Sequence, residues 1–178
     1  MFLFVFIKLA VLCSGGKDSW YADYLAKKHK NKISCLISIE SDNKESFMFH
    51  TPSISKVKAQ SRASNIPLII QKTAGKKEVE LKDLEKAIKK AVENYGVKGV
   101  VTGAIESVYQ SSRIQNICNK LNIECFNPLW QKDQFELLDD LLKNNFKVMI
   151  TGVAAYPLDK FWVGRIINKK FIQDVKKL

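Results

Sequence analysis

The chain has 178 residues, with 29 lysines and arginines against 18 aspartates and glutamates, and a formal net charge of +11 at pH 7. That length suits one domain, residues 1–178, with a core of its own, and a hydrophobic content of 46% excludes a disordered chain. No apolar run is long enough to span a bilayer, so a membrane role is not expected. The lysines spread over 27–32, 76–77, 82–90 and 169–177 without interleaved aromatics, which reads as a solvated surface and makes a nucleic-acid partner unexpected. Cys13, Cys35, Cys118 and Cys125 form no C-x-x-C pair, and only His29 and His50 would join them, which argues against a zinc site and for reduced thiols of a cytoplasmic protein.

In chain order, residues 2–11 are an apolar run. It lacks the basic start of a signal peptide, Lys8 interrupts it, and Leu12 is too large for a cleavage site before Cys13, so it reads as a buried first strand. The run ends in a glycine turn, and a helix opens at Asp18 or Ser19. Residues 33–39 are a second strand, 52–64 a helix with Pro52 in its first turn, and 67–71 a third strand. Leu81, Leu84, Ile88, Val92 and Tyr95 fall at helical spacing, after the acids Glu78 and Glu80 and before the stop signal Gly96. Residues 99–102 are a fourth strand, Ile114, Ile117, Cys118 and Leu121 an apolar helix stripe, and 124–127 a short strand. Phe135, Leu138, Leu141, Leu142 and Phe146 form another stripe, 148–153 a further strand, and a last helix starts near Lys169. This alternation predicts an α/β fold: a Rossmann-like parallel sheet with helices on both faces and ligands at the carboxyl ends of its strands.

Three strand-end loops carry unusual residues. The first is Ser14-Gly15-Gly16-Lys17-Asp18-Ser19. Two glycines turn the chain sharply and leave backbone N–H groups open, and the helix start adds more donors and the positive end of its dipole. Such a nest suits phosphate. Lys17 supplies a point charge, Ser14 and Ser19 supply hydroxyls, and Asp18 either holds Mg²⁺ or caps the helix. The spacing is not that of the G-x-x-x-x-G-K-[ST] loop. The string instead resembles the PP-loop of enzymes that split ATP between its α and β phosphates, which implies a fold of the HUP type with the PP-loop after the first strand.

The second loop, residues 46–51, places Phe47, Met48 and Phe49 in polar company, as an adenine wall or as a satellite core. His50 in the same loop would donate to phosphate or carboxylate, or stand exposed. Ser38 and Ile39, at the end of the second strand, are further candidate nucleotide contacts. The third loop contains Gly103 and Ala104 and runs into Tyr109, Gln110, Arg113 and Asn116. Tyr109, Arg113 and Asn116 share one helical face, and a tyrosine, an arginine and an asparagine together suit recognition of a substrate.

Taken with Gly103-Ala104-Ile105, Ser107, Tyr109, Gln110, Arg113, Asn116 and Cys118, the loop residues Phe47-Met48-Phe49-His50-Thr51 make the chain resemble the diphthine–ammonia ligase family. The likeness continues through Pro128-Leu129-Trp130-Gln131-Lys132-Asp133, then Val153-Ala154-Ala155, Leu158-Asp159 and Gly164-Arg165, and so runs over nearly the whole chain. It implies ATP with Mg²⁺, elongation factor 2 carrying diphthine, and ammonium as reactants, and diphthamide, AMP and pyrophosphate as products, through an acyl-adenylate. Lys17, Asp18 and Arg113 would be catalytic, and Tyr109, Gln110, Arg113, Asn116 and Trp130 would bind the substrate. The chain departs from the family at Val108 and Ser111, and the glycine- and glutamate-rich segment usual after the last helix is expected to be absent. The alternatives are a PP-loop tRNA-modifying enzyme and a non-catalytic ATP- or AMP-binding remnant. The oligomeric state is left open.

Overall fold

A computed structural model describes residues 6–43, 56–76, 78–154 and 156–178. Contacts divide the chain into two compact units, Met1–Trp130 and Gln131–Leu178, although no glycine- or proline-rich linker marks that boundary. Among the described residues no helix is long and apolar enough to cross a membrane.

The first unit runs β1 (Lys8–Leu12), α1 (Lys17–Lys28), β2 (Lys32–Ser41), α2 (Val57–Ser64), β3 (Leu68–Thr73), α3 (Val79–Tyr95), β4 (Gly99–Val101), α4 (Val108–Lys120) and β5 (Glu124–Phe126). All strand pairs are parallel, and the five-stranded order is β3-β2-β1-β4-β5. Strands alternate their side chains between faces. Ala10, Cys35, Ile37 and Ile39 therefore share one face, where they pack with Leu84, Ala87, Ile88 and Ala91 of α3 and Ile114, Ile117 and Cys118 of α4. Leu9, Val11 and Leu36 point the other way, and α1 packs on β1, β2 and β4. Burial of Leu84 and Ile88 in α3's stripe helps drive that layer together, since each fully buried leucine or isoleucine contributes about 1.5–3 kcal/mol. A left-handed Gly96 (φ +63°) then ends α3, as its place after Tyr95 predicts.

The sheet winds outward from β1 through β2 to β3 and then returns to place β4 on β1's other side. The reversal falls between β1 and β4, and in open α/β sheets the crevice that takes a ligand lies at the carboxyl ends of the two strands at such a reversal. The β4–α4 connection and the start of α1 meet there at Gly103. A Cβ on Gly103 would lie 2.7 Å from the Asp18 carbonyl carbon, 2.8 Å from the Ser19 nitrogen and 2.9 Å from the Asp18 oxygen.

In the second unit, α5 (Gln134–Lys143) is capped by Asp133, whose Oδ1 accepts from the N–H groups of Phe135 and Glu136, each at 2.9 Å. Asn168 caps α6 (Lys169–Val175) in the same way. Ile167, Phe171 and Ile172 are the buried centre, with Phe135, Leu138, Leu142, Val148, Ile150 and Trp162 around it. Arg165 stacks on Trp162, with 4.3 Å to the ring centroid, and pairs with Asp174. The strand expected over 148–153 does not form. Its extended stretch makes one antiparallel bridge, Met149 to Ile166, flanked by bonds from the Ile167 N–H to the Val148 carbonyl and from the Ile150 N–H to the Arg165 carbonyl, each at 2.9 Å, and the pairing stops where the neighbouring stretch turns at Gly164 (φ +85°). Val148 and Ile150 still turn inward while Met149 is exposed, which is the period-two pattern that suggested a strand.

Gly103→Ala is expected to lower the stability of the chain to urea by about 1–3 kcal/mol, the cost of forcing a methyl group into packed backbone. Gly152→Ala, where a Cβ meets nothing within 4 Å, should stay within about 0.5 kcal/mol of the parent and serves as the control.

Candidate functional site

β1 stops at Leu12, with Cys13 adding one more ladder bond to the Ile37 carbonyl at 2.8 Å. The chain then turns through Gly15, at φ +80°, a conformation that favours glycine. Gly16 is the N-cap of α1, in extended conformation (φ −84°, ψ 169°), and no side chain caps the helix there. The first-turn N–H groups of α1 therefore keep their capacity for a ligand.

Both carbonyls of the turn are occupied from behind. The Gly15 oxygen accepts from Gln60 Nε2 at 3.1 Å, and the Gly16 oxygen accepts from the Ser19 hydroxyl at 3.0 Å. Ser19 is buried, and its hydroxyl also lies 3.8 Å from the Cys13 sulfur. Ser14 is exposed at the head of the turn. Lys17 Nζ donates to Asp18 Oδ1 at 2.6 Å, so the cation and the carboxylate stand together at the mouth of the site. Burial pushes the Cys13 thiol above its ordinary value, against hydrogen bonds from the Gly15 backbone and Ser19, so this sulfur is part of the wall and not a thiolate nucleophile.

Ser38 and Ile39 lie in β2 just past the level at which β1 ends, since Leu12 pairs with Ile37. Both are buried, and the Ile39 side chain belongs to the core on the α3 face. In a parallel ladder the N–H and C=O of one residue point to the same neighbour. Ile37 faces β1 and Leu36 faces β3, so Ile39 aims its backbone groups at the space past the end of β1. The Ser38 hydroxyl is buried and has no hydrogen-bond partner among the described residues. His50, with Phe47, Met48 and Phe49, lies outside the described residues.

Across the crevice, the Thr102 N–H extends the β4–β5 ladder to the Phe126 carbonyl at 2.9 Å, and the Thr102 hydroxyl accepts from the Ala104 N–H at 3.2 Å. With its amide nitrogen turned toward them, Asn127 donates to the carbonyls of Ala104 at 2.9 Å and Thr102 at 3.2 Å. These bonds hold Gly103 and Ala104 against α1. Trp130, half-buried, donates its backbone N–H to the Asn127 carbonyl at 3.1 Å.

Tyr109, Gln110, Arg113 and Asn116 all lie on α4, whose N-cap Ser107 accepts from the Gln110 N–H at 3.2 Å. The Arg113 guanidinium lies 3.5 Å from the Tyr109 ring centroid and donates to Glu78 Oε1 from Nη2 at 2.7 Å and from Nε at 3.2 Å. The hydrogen bond to Glu78 raises the Arg113 pKa, so this group is cationic throughout the accessible range. Glu78 precedes α3 at φ +65° and makes no side-chain cap there; its carboxylate turns to Arg113 instead. A groove of about 350 Å³ between α3 and α4 is lined by Glu78, Leu81, Arg113, Asn116, Ile117 and Lys120. Arg113 and Asn116 thus meet at one groove as their spacing predicts, on the sheet face that carries α3 and α4, whereas α1 and the glycine turn rise from the other.

The partners missing from the sequence reading are Gln60, Asn127 and the carboxylate role of Glu78. Gln60 reaches a residue 45 positions away, and Glu78 one 35 positions away, separations at which no local pattern reports contact.

The family model of the diphthamide synthase N-terminal domain matches residues 7–125, and that of the C-terminal domain matches residues 133–178. Diphthine–ammonia ligases from Mus musculus and Homo sapiens are each 31% identical over 171 residues, covering 86% of this chain and 64% of the relative. The chain therefore spans just under two thirds of the length of these relatives. The enzyme of that name from Saccharomyces cerevisiae is 31% identical over 193 residues, covering 89% of this chain and 28% of its own. Among solved structures, the U34-tRNA thiolase NcsA from Methanococcus maripaludis is similar at a TM-score of 0.49 and 19% identity, covering 96% of this chain and 64% of that one. With matches that take in both the strand–glycine-turn–helix crevice and the second unit, the chain belongs to the diphthamide synthase family.

Proposed function

We propose that this chain binds ATP in the crevice between β1 and β4 and uses it to amidate the carboxylate of diphthine on elongation factor 2 with ammonium. The observation that carries the reading is the glycine turn, whose two carbonyls are occupied by Gln60 and Ser19 while no side chain caps the first N–H groups of α1, with Lys17 in that same first turn. That is an arrangement for a polyphosphate anion. The Ile39 backbone past the end of β1 supports an adenine edge on the same side.

In this scheme the diphthine carboxylate oxygen attacks the α-phosphorus of ATP, and the bond to the β-phosphate oxygen breaks to release pyrophosphate. Lys17 and the N–H groups of Gly16 and Lys17 stabilise the charge gathering on the departing pyrophosphate. Ammonia, freed of the proton of ammonium, then attacks the acyl carbon, and AMP departs with its oxygen. Asp18, whose Oδ1 is paired with Lys17, would hold Mg²⁺ once the phosphates draw Lys17 away, since one carboxylate together with substrate phosphates is a usual donor set for that ion. When bound, the ion neutralises phosphate charge. Arg113, which binds the Glu78 carboxylate on the α3–α4 face of the sheet, would hold an acidic group of the protein substrate there and not the reacting carboxylate that the sequence suggests, with Tyr109 and Asn116 beside it. The work would be done in the cytoplasm.

Product analysis by ³¹P NMR, with unamidated elongation factor 2 as substrate, should show AMP and pyrophosphate; ADP and orthophosphate as main products would overturn the scheme. Lys17→Ala should weaken ATP binding in calorimetry by on the order of tenfold, the worth of one charge-assisted contact. Arg113→Lys keeps the charge but loses the planar fork. It should lower amidation by on the order of ten- to a hundredfold and change ATP affinity less. Unchanged amidation would remove Arg113 from the substrate site.

A further inference from the structure

Gln60 sits on α2, outside the glycine turn, and its side chain crosses to that turn. Its Nε2 donates to the Gly15 carbonyl at 3.1 Å, while its buried Oε1 has no hydrogen-bond partner among the described residues. A buried amide that leaves one end unsatisfied incurs a cost. The contact it does make is therefore informative.

The contact lies on the Gly15–Gly16 peptide. In a trans peptide the C=O and the N–H that share the plane point in opposite directions. Fixing the Gly15 oxygen against Gln60 therefore fixes the Gly16 N–H on the far side of the plane. The next peptide is fixed likewise, because the Gly16 oxygen accepts from the Ser19 hydroxyl at 3.0 Å and from the Trp20 N–H at 3.4 Å, which aims the Lys17 N–H outward. The second of these peptides is held by its own helix, but the first is not. It joins two glycines, Gly15 is already at φ +80°, and neither residue has a Cβ to bar rotation. Turned over, that peptide would present a carbonyl oxygen to the anion in place of a donor.

We propose that Gln60 is a positioning residue for the phosphate site: its amide pins the Gly15 carbonyl so that the Gly16 N–H is held ready for the pyrophosphate portion of the nucleotide. This rests on the ATP reading above and adds to it a residue outside the turn that governs the turn's donor geometry. Preorganised donors of this kind spare the ligand the cost of ordering them.

The test compares the parent chain with Gln60→Ala and Gln60→Glu, using inorganic pyrophosphate and ATP in calorimetry, thermal unfolding without ligand, and the ¹⁵N-resolved amide resonance of Gly16. Gln60→Glu keeps the size and loses the donor. Both variants should bind pyrophosphate and ATP on the order of tenfold more weakly, one hydrogen-bonded donor's worth. Unfolding without ligand should shift little. The Gly16 amide proton should move downfield with pyrophosphate in the parent and not in the variants. A residue with a merely structural role would lower the unfolding temperature and leave the Gly16 response intact at saturation. That result, or equal pyrophosphate affinity in parent and Gln60→Ala, overturns the inference alone. A parent that binds neither pyrophosphate nor ATP overturns the nucleotide reading and this inference with it.

Discussion

The backbone of the β4–α4 connection touches the backbone at the start of α1, and the rest of the site depends on that approach. A side chain at Gly103 would collide with the carbonyl of Asp18 and the nitrogen of Ser19. Bare backbone on both sides lets α1 begin directly over the gap between β1 and β4, where the strand order reverses. Hydrogen bonds from Asn127, and one from the Ala104 N–H to the Thr102 hydroxyl, hold the connection in place, so the position of the helix start is set by a neighbouring strand end as well as by its own turn.

The glycine turn shows how donors are made available without a dedicated side chain. Each peptide has one donor and one acceptor, and a site for an anion needs the donor exposed and the acceptor hidden. Gln60 and Ser19 hide the two acceptors, one from α2 and one from the helix itself. Ser19 thereby serves the turn's own backbone in this structure, where its hydroxyl was expected to reach phosphate directly. Lys17 and Asp18 hold one another at 2.6 Å, an arrangement that keeps the local charge balanced until a polyanion brings its own.

On the other face of the sheet the charge logic is different. Arg113 is stacked on Tyr109 and held by Glu78, a residue that reads in sequence as an acid placed for the dipole of α3. Its positive φ turns it away from that use, and its carboxylate goes to a guanidinium 35 positions away. The groove beside them already demonstrates the chemistry that a carboxylate substrate would need. The lysines of the same layer are largely spent on neighbours, Lys86 on Asp83 and both Lys89 and Lys120 on Glu85, in keeping with a solvated surface.

Repeating apolar patterns locate β2, β3, β4 and β5 and the helices α3, α4 and α5, because burial on a sheet or along a helix leaves periods of two and about 3.6 in the chain itself. The string Ser14–Ser19 located the turn for the same kind of reason: its glycines and its helix start act within six adjacent residues. The helix stop at Gly96 and the cap at Ser107 are likewise local. Tertiary structure alone decided which strand lies beside which, that Gly103 is required by the start of α1, that Gln60 holds Gly15, and that Glu78 answers Arg113. It also decided that residues 148–153 stay an extended segment with one bridge, since the stretch paired with it turns away at Gly164, 14 positions after Ile150. Each of these joins residues far apart in the chain, and separation along the chain carries no signal of nearness until the fold has closed the distance.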